Sequence, residues 1–221
     1  MFTKLSVLIP TRKRVERLKK LLASYEKTTR DAEWATELVF RVDNDDLETR
    51  DFLMGQKVVS GERHEGYKSL PIFFNQLAGS KLATGDVFMC GNDDMIFKTP
   101  HWGPALLDAA NEFPDGIFDL GVTTHNETHY PFSVVSRIAV KRMGFIFDPR
   151  IFWGDIFLRD AMAAFHRVVM LPHVEIDHDW AGNDPDATFL EGNDYRISEH
   201  NAFHQLAVDD AVEKLKGLVR N

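Results

Sequence analysis

The chain has 221 residues, with 44% apolar and 27% charged residues and a formal net charge of −8. That length and balance describe an ordinary globular protein with room for a substantial core, not a disordered chain. The acidic balance argues against broad nonspecific binding to nucleic acid or to an anionic membrane, although it leaves room for a local basic patch.

Residues 5–9 form a short apolar run closed by Pro10, the pattern of a buried strand. Thr11-Arg12-Lys13-Arg14 then opens a helical pattern whose face is marked by Val15, Leu18, Leu21, Leu22 and Tyr25. A second strand over 38–42 runs into Asp43-Asn44-Asp45-Asp46, followed by a helical turn over 47–54 and a short strand over 56–60. Ser69 and Pro71 mark a helix start, with Phe73, Phe74, Leu77 and Ala78 as its apolar stripe. Asp86-Val87-Phe88-Met89-Cys90 reads as a buried strand broken by Gly91, which releases Asn92-Asp93-Asp94. Strands alternating with helices imply an α/β fold with a mostly parallel sheet flanked by helices.

The second half is less regular. It suggests a helix over 101–112, strands over 117–123 and 132–140, a helix over 153–165 and a strand beginning at 168–171. A polar stretch over 177–199 lacks periodicity and reads as either a disordered or a functional loop, and a last helix runs from about 201 to 219. No repeat or interdomain linker is visible, so the chain reads as a single domain. No run reaches the roughly 18 apolar residues of a membrane span, and no signal peptide is evident. Cys90 is the single cysteine, read as a small buried residue; with no disulfide to form, a reducing, cytoplasmic setting is expected.

Acidic groups at the exit of a buried strand repel one another unless a positive charge lies between them. Asn92-Asp93-Asp94 therefore reads either as a polar turn or as a site for a hard divalent cation such as Mg²⁺ or Mn²⁺.

The ordered motifs resemble family 2 glycosyltransferases of GT-A fold. Ser6-Val7-Leu8-Ile9-Pro10-Thr11-Arg12 resembles the family's first strand and nucleotide loop, and Val42-Asp43-Asn44 the acidic end of its second strand. Asn75, Ala83-Thr84-Gly85-Asp86, Asn92-Asp93-Asp94 and Pro100 then follow the family's middle signature in order. The resemblance spans roughly residues 4–160 and thins in the second half.

What it implies is an inverting transfer of a sugar from a nucleotide-diphosphate sugar, by default a UDP-sugar, to an acceptor hydroxyl (EC 2.4), with Mg²⁺ or Mn²⁺ on the diphosphate. By that resemblance, residues up to about 100 handle nucleotide and metal, and the remainder handles the acceptor. Asp94 is the foremost metal ligand; Asp93 contacts the ion's shell or the donor sugar; Asn92 replaces a more common aspartate. Asp43 matches the carboxylate that accepts from the nucleobase, Thr11 and Arg12 line the nucleotide, and Lys68 and Asn75 are further diphosphate or nucleotide candidates. Trp153-Gly154-Asp155 resembles the segment carrying the catalytic base, which makes Asp155 the base, with Glu191 and Asp194 as fallbacks. Helix capping is the bland alternative for Asp155, and simple packing for Trp153 as against sugar stacking. His178 is the late histidine suited to a metal, ahead of His173; nothing selects His125 or His129.

The acceptor is open: a glycan, a lipid-linked intermediate, a protein or a modified nucleic-acid base. A nucleotidyltransferase is the alternative enzyme, disfavoured because the 10–14 loop lacks the glycines of a phosphate loop. A catalytically silent nucleotide-sugar binder is the non-enzymatic alternative.

Overall fold

The computed structural model describes residues 1–64, 69–125, 131–151, 153–179 and 198–219. At its centre lies β1 (Leu5–Thr11), parallel on one side to β2 (Thr36–Asp43) and on the other to β4 (Val87–Cys90). With β3 (Lys57–Gly61), β5 (Met95–Phe97), β6 (Asp119–Thr123), β7 (Val134–Ser136) and β8 (Val168–His178), these form one eight-stranded sheet ordered β3-β2-β1-β4-β7-β6-β8-β5. The β1/β2, β2/β3, β1/β4 and β6/β8 pairings are parallel, whereas β7 runs antiparallel to both neighbours and β5 antiparallel to β8.

The two-residue period of a strand sends alternate side chains of β1 to opposite faces. Leu5, Val7 and Ile9 join a core with Leu18 and Leu21 of α1 (Val15–Thr29) and Trp102 and Leu106 of α4 (Trp102–Asn111). Leu8 joins the other core, with Phe74 and Leu77 of α3 (Ser69–Gly79), Phe157 and Leu158 of α6 (Gly154–Ala163), and Ala207 and Ala211 of α7 (Ser198–Leu215). The short α2 (Leu47–Phe52) is capped by Asp46, whose side chain accepts from Thr49 N.

The expected strand over 132–140 is a correction. Only Val134–Ser136 is strand, and α5 (Arg137–Met143) follows at once. The Ser136 hydroxyl accepts from Ala139 N at 2.9 Å and starts the helix; Gly144 ends it at φ 89°. Ala139, Val140 and Met143 are buried at helical spacing, which the β-branched Ile138 and Val140 disguised. The polar stretch expected over 177–199 is shorter than that at both ends, since β8 reaches His178 and α7 begins at Ser198. Positions 180–197, with Glu191 and Asp194, lie outside the described residues, as do Lys68 and His129.

Candidate active site

From β1 the chain crosses to β2 and β3 on one side and returns to β4 on the other, so the sheet changes winding direction between β1 and β4. Open α/β sheets take ligands at such a switch, outside the carboxyl ends of the strands. Thr11 closes β1 there, and the turn after β4 carries Asn92, Asp93 and Asp94. A side chain on Gly91 would strike Met95 Sδ at 2.7 Å and Val7 Cγ1 at 2.9 Å, so glycine is what lets the chain turn into the acidic triplet.

Asp93 and Asp94 are both buried. Thr11 Oγ1 donates to Asp93 Oδ2 at 2.8 Å, and Arg14 Nη1 approaches its Oδ1 at 2.9 Å. Arg17 Nη1 lies 3.1 Å from Asp94 Oδ2. Arg14 and Arg17, one turn apart at the start of α1, thus each neutralise one carboxylate. The two acids titrate in opposite senses. Burial, with repulsion from Asp94, raises the Asp93 carboxyl against the opposing pull of Arg14 and Thr11. Burial acts on Asp94 too, but His178 together with Arg14 and Arg17 outweighs it and holds that carboxyl low.

His178 reaches the site through strand register. Met95, next to Asp94, pairs with His178 across the antiparallel β5/β8 ladder, and Asp179 N donates to the Asp94 carbonyl at 2.8 Å. His178 Nε2 comes to 3.1 Å from Asp94 Oδ1 and 3.5 Å from Asn92 Nδ2, its ring held edge-on to Phe132 at 5.5 Å. Asp94 Oδ1 is buried without a hydrogen-bond partner among the described residues. A buried carboxylate oxygen that faces only an imidazole nitrogen is a donor pair suited to Mg²⁺ or Mn²⁺, so the residues present fit the ion. His173 is exposed on the same strand, five residues away, and is not part of this group. A second group of metal-capable side chains, His125, Glu175 and Asp177, has ligand atoms within 4.8 Å of one another, with Lys98 3.1 Å from Asp177 Oδ2.

Beside Thr11, Arg12 Nη1 lies 2.7 Å from Asp43 Oδ2, and Arg41 of the same strand holds Asp43 Oδ1. Lys13 N donates to Asp46 Oδ2 at 2.7 Å, fastening the loop after β1 to the end of β2. Asp155 is the second residue of α6; the helix N-cap is Trp153, which gives no side-chain cap, so Asp155 is not the capping residue. The Cys90 thiol is pushed up, first by burial and then by the charges of Asp119 and Asp155.

Asn75 has another part. Its Oδ1 accepts from Ile146 N at 2.8 Å and Phe147 N at 3.3 Å, while its Nδ2 donates to the Phe147 carbonyl at 2.8 Å. It clamps the turn that packs on the start of α6. The residues that the sequence did not single out are Arg14, Arg17, Arg41 and Asp45; the one signal available was the run of basic side chains at the mouth of α1.

Known structures share this architecture. A mannosyltransferase from Pyrobaculum calidifontis in complex with GDP-Man and Mn²⁺ superposes with a TM-score of 0.61 at 13% identity, over 97% of this chain and 73% of that one. Glucosyl-3-phosphoglycerate synthase from Mycobacterium tuberculosis in complex with UDP gives 0.53 at 14% identity, over 97% and 80%. TarS from S. aureus gives 0.58 at 15% identity, over 80% of this chain but 37% of its own length. No family model and no curated protein matches the sequence. No helix among the described residues is long and apolar enough to cross a membrane. The α/β architecture, a mostly parallel mixed sheet flanked by helices, is the GT-A fold of glycosyltransferases.

Proposed function

We propose that this chain is an inverting, metal-dependent glycosyltransferase that moves a sugar from a nucleoside-diphosphate sugar, by default a UDP-sugar, to an acceptor hydroxyl. The observation that carries this reading is the convergence of Asp94 and His178 at the switch point, where the buried Asp94 Oδ1 faces His178 Nε2 at 3.1 Å and accepts no well-formed hydrogen bond among the described residues.

Thr11, Arg12 and Asp43 gather where the nucleoside end of the donor would lie, and Asn92, Asp93 and Asp94 where the diphosphate would lie. Asp94 and His178 would hold Mg²⁺ or Mn²⁺, whose chemistry there is to neutralise the charge that builds on the leaving diphosphate. Asp93, fixed by Thr11 and Arg14, keeps the turn in shape behind them. Asp155, at the start of α6, takes the proton from the acceptor hydroxyl as its oxygen attacks the anomeric carbon. The half of the chain after about residue 100 would then bear the acceptor, whether glycan, lipid-linked intermediate, protein or nucleic-acid base. A lone buried Cys90 suits a cytoplasmic enzyme.

The test is a thermal-shift screen of UDP, GDP, ADP and CDP with and without Mn²⁺, since a ligand that binds the native state raises its apparent stability. A nucleotide-dependent rise that requires Mn²⁺ supports the reading; no response to any nucleotide in either condition removes it.

A further inference from the structure

The carboxyl ends of β6 and β8 gather a second set of metal-capable side chains, on the far side of β8 from His178. Val174 and Ile176 are buried in the core beneath α1 and α4, and His178 follows them at the same two-residue period. That period turns Glu175 and Asp177 to the opposite face. β6 runs parallel to β8 with Thr123 opposite Glu175, so His125, two residues on, arrives beside both acids. Its Nδ1 lies 3.3 Å from Glu175 Oε1 and 3.6 Å from Asp177 Oδ1, and the three ligand atoms all lie within 4.8 Å of one another. Lys98 follows β5 on the other flank of β8: its backbone N donates to the Glu175 carbonyl at 3.2 Å, and its Nζ lies 3.1 Å from Asp177 Oδ2. The remaining oxygen, Asp177 Oδ1, is buried and accepts no hydrogen bond among the described residues.

We infer that His125, Glu175 and Asp177 form a second divalent-cation site, of the kind that takes Zn²⁺, separate from the one proposed at Asp94 and His178. The donor set is one imidazole nitrogen and two carboxylate oxygens, which suits Zn²⁺ better than a hard cation that prefers oxygen alone. The spacing agrees. A tetrahedral ion with bonds of about 2.0–2.1 Å sets its ligands roughly 3.3–3.4 Å apart, against about 3 Å around a six-coordinate ion. The two contacts of His125, at 3.3 and 3.6 Å, fall nearer the tetrahedral value. Charge points the same way, because Lys98 neutralises one carboxylate and a neutral imidazole leaves the other uncompensated. Lys98 also fixes Asp177 from behind, so that Oδ1 is the oxygen left to face His125. The His125 side chain is 64% exposed, which leaves the site open to an ion from solvent. Once bound, the ion ties the segment after β6 to the end of β8. The site stands whether or not the chain binds a nucleotide.

Zinc uptake by the full chain, stripped with EDTA and dialysed, tests this by calorimetric titration with Zn²⁺ and elemental analysis of the bound metal. The wild type is expected to hold one more equivalent of Zn²⁺ than either His125→Ala or Glu175→Gln. Both side chains are partly exposed, so the two variants should melt as the wild type does when no metal is present. Zn²⁺ should then raise the melting temperature of the wild type above that of both variants, since an ion that binds the native state stabilises it. Asp94→Asn, which keeps the shape of its turn, should retain the extra equivalent; its loss there would mean a single shared ion and overturns the proposal. Equal zinc content in the wild type and both variants overturns it as well, as does a wild type that takes up no zinc. Loss of the equivalent in His125→Ala with none in Glu175→Gln overturns the three-ligand site.

Discussion

Replacing Gly154 with alanine tests the link between packing and the proposed base. A Cβ at this position would lie 2.3 Å from Phe147 Cδ2 and Cγ and 2.4 Å from Cδ1, where ordinary van der Waals contact begins at 3.4 Å. The ring would have to retreat by roughly 1 Å, more than a packed core yields without strain. It has little freedom to do so. Phe147 is 4% exposed, its ring lies 4.7 Å from that of Phe74, and its backbone is tied to Asn75 on both sides of the peptide. Alanine would otherwise favour the helix, by about 0.5–1 kcal/mol in an interior position. Overpacking costs about 1–3 kcal/mol, so the clash wins.

Gly154→Ala should therefore lower the urea midpoint by a net amount on the order of 1–2 kcal/mol with an unchanged slope. Phe147→Leu in the Gly154→Ala background should recover part of that loss, and a double-mutant cycle isolates the coupling. Because Asp155 is the next residue, displacement of the helix start should also lower turnover while leaving nucleotide affinity near the wild-type value. Unchanged stability in Gly154→Ala would refute the packing argument. Reduced stability with full turnover would detach Asp155 from the chemistry.

The other expectations concern single groups. Asp94→Ala should abolish the Mn²⁺-dependent part of nucleotide binding, and tighter UDP binding with Mn²⁺ than without in that variant would refute its role as ligand. Asp155→Asn preserves shape but cannot take a proton, so single-turnover transfer should fall about 10²–10⁴-fold while donor affinity holds; full activity would clear Asp155 and leave a search among acids such as Glu191 and Asp194. Burial alone would raise the Glu37 carboxyl, but hydrogen bonds from Lys4, Lys57, Ser6 and Thr84 hold it well below the ordinary carboxylate range. Its stabilisation is complete above the ordinary carboxylate pKa and is lost as pH falls toward the depressed one, so melting temperature should drop less between about pH 5 and pH 2 in Glu37→Gln than in the wild type. Parallel acid curves for the two proteins would count against that network.

The strand ends were legible because an apolar run followed by acids has few other readings, which is how Asp43 and Asp93-Asp94 could be picked out before any coordinates. The pairing of Asp94 with His178 was expected only through the resemblance; the residues themselves could not show it, since it depends on β5, whose three residues are too few to show a period, and on its antiparallel register with β8. The sequence singled out Asp43 and passed over Asp45, because only the packing of Arg41 beneath β2 shows that Asp43 is enclosed and Asp45 faces outward. Arg14 and Arg17 look like solvated charges on a helix, and their value appears only when α1 lies against the turn after β4.

Those two arginines also bear on why the proposed transfer would need an ion. Asp93 and Asp94 bring two negative charges into a buried turn, and Arg14 and Arg17 bring two positive ones. Among these four side chains the charges balance before any donor arrives. An incoming diphosphate finds no surplus positive charge in these four side chains, and unpaired anionic oxygens beside buried carboxylates would be strongly disfavoured. Drawing Arg14 or Arg17 onto the phosphates would only expose the carboxylate it had neutralised. A divalent cation at the proposed Asp94 and His178 site would supply the missing charge without unmaking either pair, because among the described contacts the oxygen facing His178 is not the one Arg17 holds. On the proposed reading, the arginines would keep the acidic turn folded without an ion and leave one oxygen of Asp94 to bind it.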